Sequence, residues 1–315
     1  MNKKKNLVFF LILILLVNCS FDTKTGIWSG EEIEKRKVVE LEKEQIREKN
    51  IKKIYSIGDE YSLEKTLTKK IILSKPQKNL SWQMSGLNQQ NFLGNIYLSG
   101  IDNRFLKKKI GKNKFSLSKT TASPLIYKDN IFLSDNKGTI FNINEFGKLN
   151  WKKNIYRKIY KKIYKNLTFS IYKNNIYVAD NIGFIYAIAL DSGKLIWIKN
   201  HGVPLKSKIK IFDNKIFLIN QDNRFLSFSI KDGSIIWDIR SVTSFIKLQN
   251  FLSLALSNQG EVIAITSSGE LLKVNLTSGN VDWALNTLGS VDATDFFKSS
   301  DIVITNESIK IIIQI

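Results

Sequence analysis

Leu190-Asp-Ser-Gly193-Lys-Leu-Ile-Trp197 ends in a phrase that the chain spells four times, a glycine, three further residues and then a tryptophan. The other copies are Gly147-Lys-Leu-Asn-Trp151, Gly233-Ser-Ile-Ile-Trp237 and Gly279-Asn-Val-Asp-Trp283. The steps between tryptophans are 46, 40 and 46 residues, inside the window of propeller blades and other repeat units. Upstream of Trp197 the unit reads Ser170-Ile-Tyr-Lys-Asn-Asn-Ile-Tyr-Val-Ala-Asp-Asn-Ile-Gly183, then Phe184-Ile-Tyr-Ala-Ile-Ala189. Its apolar residues alternate in short runs, the period of half-buried strands and not of helices. Turn residues at Lys173-Asn174-Asn175, Asp180-Asn181-Ile182-Gly183 and Asp191-Ser192-Gly193 separate these runs into four strands, the content of one antiparallel blade.

The other units keep this frame. A middle-turn residue stands 14 positions before Trp at Gly183, Asn223 and Gly269, and 13 before it at Gly138. Gly and Asn tolerate positive φ in tight hairpins, and the Gly of each Gly-xxx-Trp is expected to serve the last hairpin in the same way. Trp151, Trp197, Trp237 and Trp283, with Gly147, Gly193, Gly233 and Gly279, are therefore assigned as blade-building residues. Each Trp is expected to pack between neighbouring blades. The expected fold is all-β, a β-propeller of four-stranded antiparallel blades.

The N-terminus reads as a targeting segment. Met1-Asn-Lys-Lys-Lys5 is a charged n-region and Leu7 to Val17 an uninterrupted apolar run, too short to span a bilayer comfortably. The run leads to Leu16-Val17-Asn18-Cys19, and Cys19 is the single cysteine of the 315 residues. No disulfide can therefore form within the chain. An uncleaved signal anchor and a soluble secreted form are the other readings of this segment. Residues 1–18 are assigned as signal peptide, 19–75 as a charged tether that is partly helical or disordered, and 76–315 as the repeats. A helix of the tether that docks on a partner is an alternative.

The formal net charge is +20. Lysine dominates it and is spread along the chain, which argues against a nucleic-acid binder. The densest run is Trp151-Lys-Lys-Asn-Ile-Tyr-Arg-Lys-Ile-Tyr-Lys-Lys-Ile-Tyr-Lys165. It suits a strand and loop with one solvated face, with attraction to anionic lipid head groups as a second reading. The chain has one histidine, His201, and no second His or spare Cys to join it as a metal or catalytic group. It is read as an ordinary loop residue. Neither a P-loop nor a GxGxxG fingerprint is present. Acids such as Asp135, Asp180 and Asp222 fall in turns, where they have a structural reason to be. No catalytic, cofactor-binding or metal-binding residue is assigned, and no cofactor is expected.

Leu190-Asp-Ser-Gly-Lys-Leu-Ile-Trp197 and Ile230-Lys-Asp-Gly-Ser-Ile-Ile-Trp237 resemble the PQQ-like repeat of eight-bladed propellers. Quinoprotein alcohol dehydrogenases share that repeat but use an adjacent cysteine pair, which this chain cannot form. Leu16-Val-Asn-Cys19 resembles the lipobox of bacterial lipoproteins, which implies lipidation of Cys19; Asn18 departs from the small residue usual before the cysteine. Ser20 in the next position is compatible with outer-membrane sorting. Repeats and lipobox together resemble the BamB family, the lipoprotein scaffold of the outer-membrane β-barrel assembly (BAM) machinery. Ser81-Trp82-Gln-Met-Ser-Gly86-Leu-Asn-Gln-Gln-Asn91 is similar to the motif that opens that family's propeller, with Leu87 where a second Gly is common.

The resemblance implies a non-enzymatic scaffold at the periplasmic face of the outer membrane. Its implied partners are the membrane, through the lipid, and the POTRA domains of the central barrel-assembly subunit. Ser290-Val-Asp292-Ala-Thr-Asp295 partly matches an interface loop of the family, which makes Asp292 a candidate partner contact. A lipoprotein with another periplasmic partner and a quinoprotein dehydrogenase fragment are the alternative functions. A fifth unit opens at Asp301, and its Trp would fall past Ile315. The expectation drawn from this is a chain shortened at its C-terminus, with a stand-alone form of about six blades as the alternative.

Overall fold

In a computed structural model of the chain, the described residues are 52–53, 73–100, 106–108, 110, 122–160, 162–240, 252–266, 269–287, 298–305, 308–311 and 313–314. The chain divides into two compact units, Met1–Ile51 and Lys52–Ile315, and every described residue belongs to the second. Cys19, Asp292 and most of the tether predicted over 19–75 lie outside the described residues.

After β1 (Lys52–Lys53), the second unit builds four sheets in sequence order. The first holds β2 (Leu125–Tyr127), β3 (Asn130–Ser134), β4 (Thr139–Asn144) and β5 (Leu149–Asn154). The second holds β6 (Leu167–Tyr172), β7 (Asn175–Asp180), β8 (Phe184–Ala189) and β9 (Leu195–Asn200). The third holds β10 (Lys210–Phe212), β11 (Lys215–Ile219), β12 (Arg224–Ser229) and β13 (Ile235–Arg240). The fourth holds β14 (Leu254–Leu256), β15 (Glu261–Ile265), β16 (Glu270–Asn275) and β17 (Val281–Asn286), with β1 added parallel to β17. Within each sheet these four strands pair antiparallel with the next in sequence, a blade made of consecutive hairpins. Further pairs follow, β18 (Lys298–Ser299) with β21 (Ile313–Gln314), and β19 (Val303–Ile304) with β20 (Ile309–Lys310).

Turn chemistry explains why the hairpins form where they do. Lys128-Asp129 and Asp213-Asn214 join the first two strands of their sheets with positive φ at both positions, which suits the right-handed twist of a two-residue hairpin. Between second and third strands a side chain caps the turn. Asp135 Oδ1 accepts the N–H of Lys137 and Thr139, and Asn220 Oδ1 those of Asp222 and Arg224. Between third and fourth strands the pairing shifts by one residue in every sheet, at Asn142/Ile143, Ala187/Ile188, Ser227/Phe228 and Lys273/Val274. Such a bulge turns the fourth strand and increases its twist.

The core lies between sheets. Buried residues of the first and second sheets form one cluster around Phe132, Phe169 and Tyr186; the second and third meet around Ile185, Ile216 and Phe228. The third and fourth meet around Phe217, Phe225 and Val262, and the fourth closes on Ile302 and Ile304. Sequence alternation predicts half-buried strands, but β7, β11 and β12 are buried on both faces, because a neighbouring sheet covers each side. That explains unbroken apolar runs such as Ile176-Tyr-Val-Ala179. Alternation with exposure survives in the fourth strands β5 and β9.

Candidate functional site

At the seams between sheets, the fourth-strand Trp reaches across to the next blade's last turn. The Trp151 Nε1–H donates to Leu190 O at 2.9 Å, and its ring lies where a Cβ on Gly193 would come within 2.7 Å. Trp197 repeats this with Ile230 O and Gly233, and Trp237 with Leu276 O and Gly279. These glycines have φ of 68°, 71° and 77°, so they supply both the turn conformation and the space for the indole. At Gly147 the neighbours are Leu106 and Lys108, whose Nζ donates to Gly147 O. Trp283 packs against the last cluster with Leu285. An aromatic partner for the first three tryptophans was not anticipated from sequence. Phe132, Tyr177 and Phe217 lie 5.8–6.2 Å from the rings of Trp151, Trp197 and Trp237. Their signal was present, an aromatic at position three of each second strand.

The segment from Trp82 to Asn91 visits the first strand of every sheet in turn. Trp82 exchanges backbone hydrogen bonds of 2.7 and 3.0 Å with Ile126 on β2. Gln83 O accepts from Ile171 N on β6, and Gln89 O from Leu256 N on β14. Gln90 O accepts from Ile304 N on β19. Asn91 Nδ2 donates to Leu254 O at 3.1 Å and to Ile302 O at 2.8 Å. The third sheet contributes through a side chain. Lys210, 0% exposed, donates through Nζ to Ser85 O and Asn88 O at 2.7 Å each and to Asn91 Oδ1 at 2.5 Å. Gly86, at φ 80°, makes the turn possible, since a Cβ there would sit 2.1 Å from Asn91 Oδ1. This stretch, made of isolated bridges and turns, ties together the first strands of the four sheets. Burial lowers the Lys210 pKa to about 7, Lys208 adds to the shift and Asp301 opposes it.

A second polar cluster closes the seam of the first two sheets. Asp180 Oδ1 accepts the N–H of Ile182, Gly183 and Phe184, each at 2.8 Å, while Oδ2 accepts the Tyr156 hydroxyl at 2.5 Å. Burial raises the Asp180 carboxyl, and these hydrogen bonds pull it back. Burial, with Tyr186 and Asp180 adding, holds the Tyr156 hydroxyl far above the usual phenol range. Lys165 lies 5.1 Å from the Tyr156 ring centroid and donates to Tyr160 O; burial lowers its pKa while Asp180 and Asp135 oppose. Both oxygens of Asp180 are thus engaged in holding a turn and a loop, which suits fixing geometry. His201 packs at a tilt against Phe228 with ring centroids 4.8 Å apart, and burial lowers its pKa. Among the described residues no three His, Cys, Asp or Glu side chains gather as a metal site, and no helix is long and apolar enough to cross a membrane.

Comparison with known proteins places these observations. Residues 169–302, from β6 past the fourth sheet, match the family model described as outer membrane protein assembly factor BamB. No curated protein matches the sequence. Among solved structures, BamB from Moraxella catarrhalis is similar at 11% identity and a TM-score of 0.45, covering 52% of this chain and 48% of that one. A quinohemoprotein alcohol dehydrogenase from Comamonas testosteroni is similar at 13% identity and 0.49, covering 65% and 41%. Another from Pseudomonas putida HK5 is similar at 12% and 0.46, covering 61% and 38%. The chain thus spans less than half the length of each of these three structures. The chain is an all-β array of PQQ-like repeats that, over residues 169–302, is similar to the family of outer membrane protein assembly factor BamB.

Proposed function

We propose that the chain is a non-enzymatic scaffold of outer-membrane β-barrel assembly, held at the periplasmic face of the outer membrane by a lipid on Cys19. The observation that carries this reading is the match of residues 169–302 to the BamB family. The site chemistry supports it. Buried Asp180 and Lys210 are both engaged in hydrogen bonds that fix turns and the segment Trp82–Asn91, so these two groups serve geometry. On this reading the partner is the POTRA-bearing central subunit of the assembly machinery, and Asp292 is a contact.

The test is affinity purification of the tagged full chain from cross-linked native membranes, with partners identified by mass spectrometry. Recovery of the POTRA-bearing subunit, weakened by Asp292→Ala, is expected. A lipidated, abundant protein that never recovers that subunit would overturn the assembly role.

A further inference from the structure

We infer that the described residues 155–160 and 162–166, between β5 and β6, form a docking element for a membrane surface rich in anionic lipid. Its side chains are sorted by position. Tyr156, Tyr160 and Tyr164 are half-buried, four residues apart, while Ile159 and Ile163 are 74% and 44% exposed. Arg157, Lys158 and Lys162 are exposed around the two isoleucines, and no acidic residue occurs from Trp151 to Lys165.

The sorting is enforced from inside. Tyr156 and Tyr160 meet Phe184 edge-on at 6.1 and 5.4 Å, and the Tyr156 hydroxyl is bonded to Asp180. Buried Lys165 donates to Tyr160 O from beneath. With its tyrosines clamped to the second sheet, the loop presents apolar tips it does not bury, against the usual gain of about 2 kcal/mol for burying such a side chain. The corresponding loop between β9 and β10 shows no such surface, since Gly202 is its only exposed residue and Leu205 and Ile209 are buried. Exposed isoleucines ringed by Lys and Arg match a lipid interface, where apolar tips enter below the head groups and cations meet phosphates. Single-stranded nucleic acid would call for exposed aromatic rings on which bases stack, and here the rings of Tyr156 and Tyr160 pack on Phe184. The inference stands on the loop alone and does not rest on the assembly reading.

The test uses the full chain reconstituted in vesicles of phosphatidylcholine alone or mixed with phosphatidylglycerol, with a nitroxide quencher in the acyl region. A bimane fluorophore is placed on Ile159→Cys, and on Phe146→Cys at the opposite end of β5 as the reference, where the side chain is 81% exposed. Unsubstituted protein treated identically reports any signal from Cys19. Quenching at position 159 is expected in the anionic vesicles, reduced several-fold in phosphatidylcholine, at high salt, and in the pairs Lys158→Glu/Lys162→Glu or Lys158→Gln/Lys162→Gln. Equal quenching in both vesicle types, quenching at position 146 in place of 159, or binding of single-stranded RNA without quenching would overturn the inference. Thermal melts of the variants separate loss of docking from loss of fold.

Discussion

At Gly233 a hydrogen in place of a methyl group lets the Trp197 indole close on the backbone of the next blade. A Cβ there would lie 2.5 Å from Trp197 Cζ3, on a residue with φ of 71°. Gly202 has a similar φ of 73° but nothing within 4 Å of a built Cβ. Gly202→Ala therefore carries the backbone strain alone, about 1 kcal/mol, and Gly233→Ala adds overpacking for a total of about 2–4 kcal/mol. Urea unfolding of both variants should show that difference; equal losses would mean the indole is not pressed on the turn. Lys210 makes a second residue-scale prediction. Its folded pKa lies near 7, below the ordinary lysine value. The unfolded chain therefore binds more protons between about pH 7 and 10, so stability rises with pH across that window; below it both states are protonated and the penalty of the buried charge is full. Relative to Lys210→Met, wild type should gain stability as pH is raised from 7 to 10, read from the pH dependence of the difference in unfolding free energy. A flat difference would mean the ammonium titrates alike in both states.

Among the elements, the segment Trp82–Asn91 is the one whose loss of contacts should be felt far along the chain. Asn91 holds Leu254 and Ile302 by Nδ2 and Lys210 by Oδ1. Asn91→Ala leaves buried partners unmatched, at a cost of about 2–4 kcal/mol. Amide exchange should quicken in β14 and at Ile302–Ile304 while β2, held by Trp82, keeps its protection; uniform acceleration would mean the segment does not tie the sheets individually. The blades themselves were legible because Gly, Asp and Asn mark hairpins and Trp marks seams, all through local rules. The role of the segment Trp82–Asn91 was not. Trp82 to Asn91 could be quoted as a motif, yet its partners lie as far along the chain as Ile304 and are mostly backbone N–H and C=O groups, which have no sequence signature. Lys210 was hidden for a related reason. In Lys208-Ile-Lys210-Ile-Phe212 it reads as the solvated side of a strand, and only alignment with buried Leu125 and Ser170 in the preceding sheets points inward.

At the scale of the whole molecule, the described hairpin sheets are sealed to one another by tryptophans and linked by the segment Trp82–Asn91. Asp180 and Lys210 are committed by their hydrogen bonds to turns and to the segment Trp82–Asn91, and the match over residues 169–302 directs the proposal to barrel assembly. Sequence could supply the family resemblance but little of the interface, because partner contacts on a propeller come from surface loops with no repeat rule behind them. The most direct measurement is calorimetric titration of the full chain in detergent, first with the periplasmic POTRA region of the central barrel-assembly subunit and then with PQQ. The account predicts saturable binding to the POTRA region, weakened by Asp292→Ala, and no heat with PQQ. Tight PQQ binding together with no interaction with the POTRA region would contradict it.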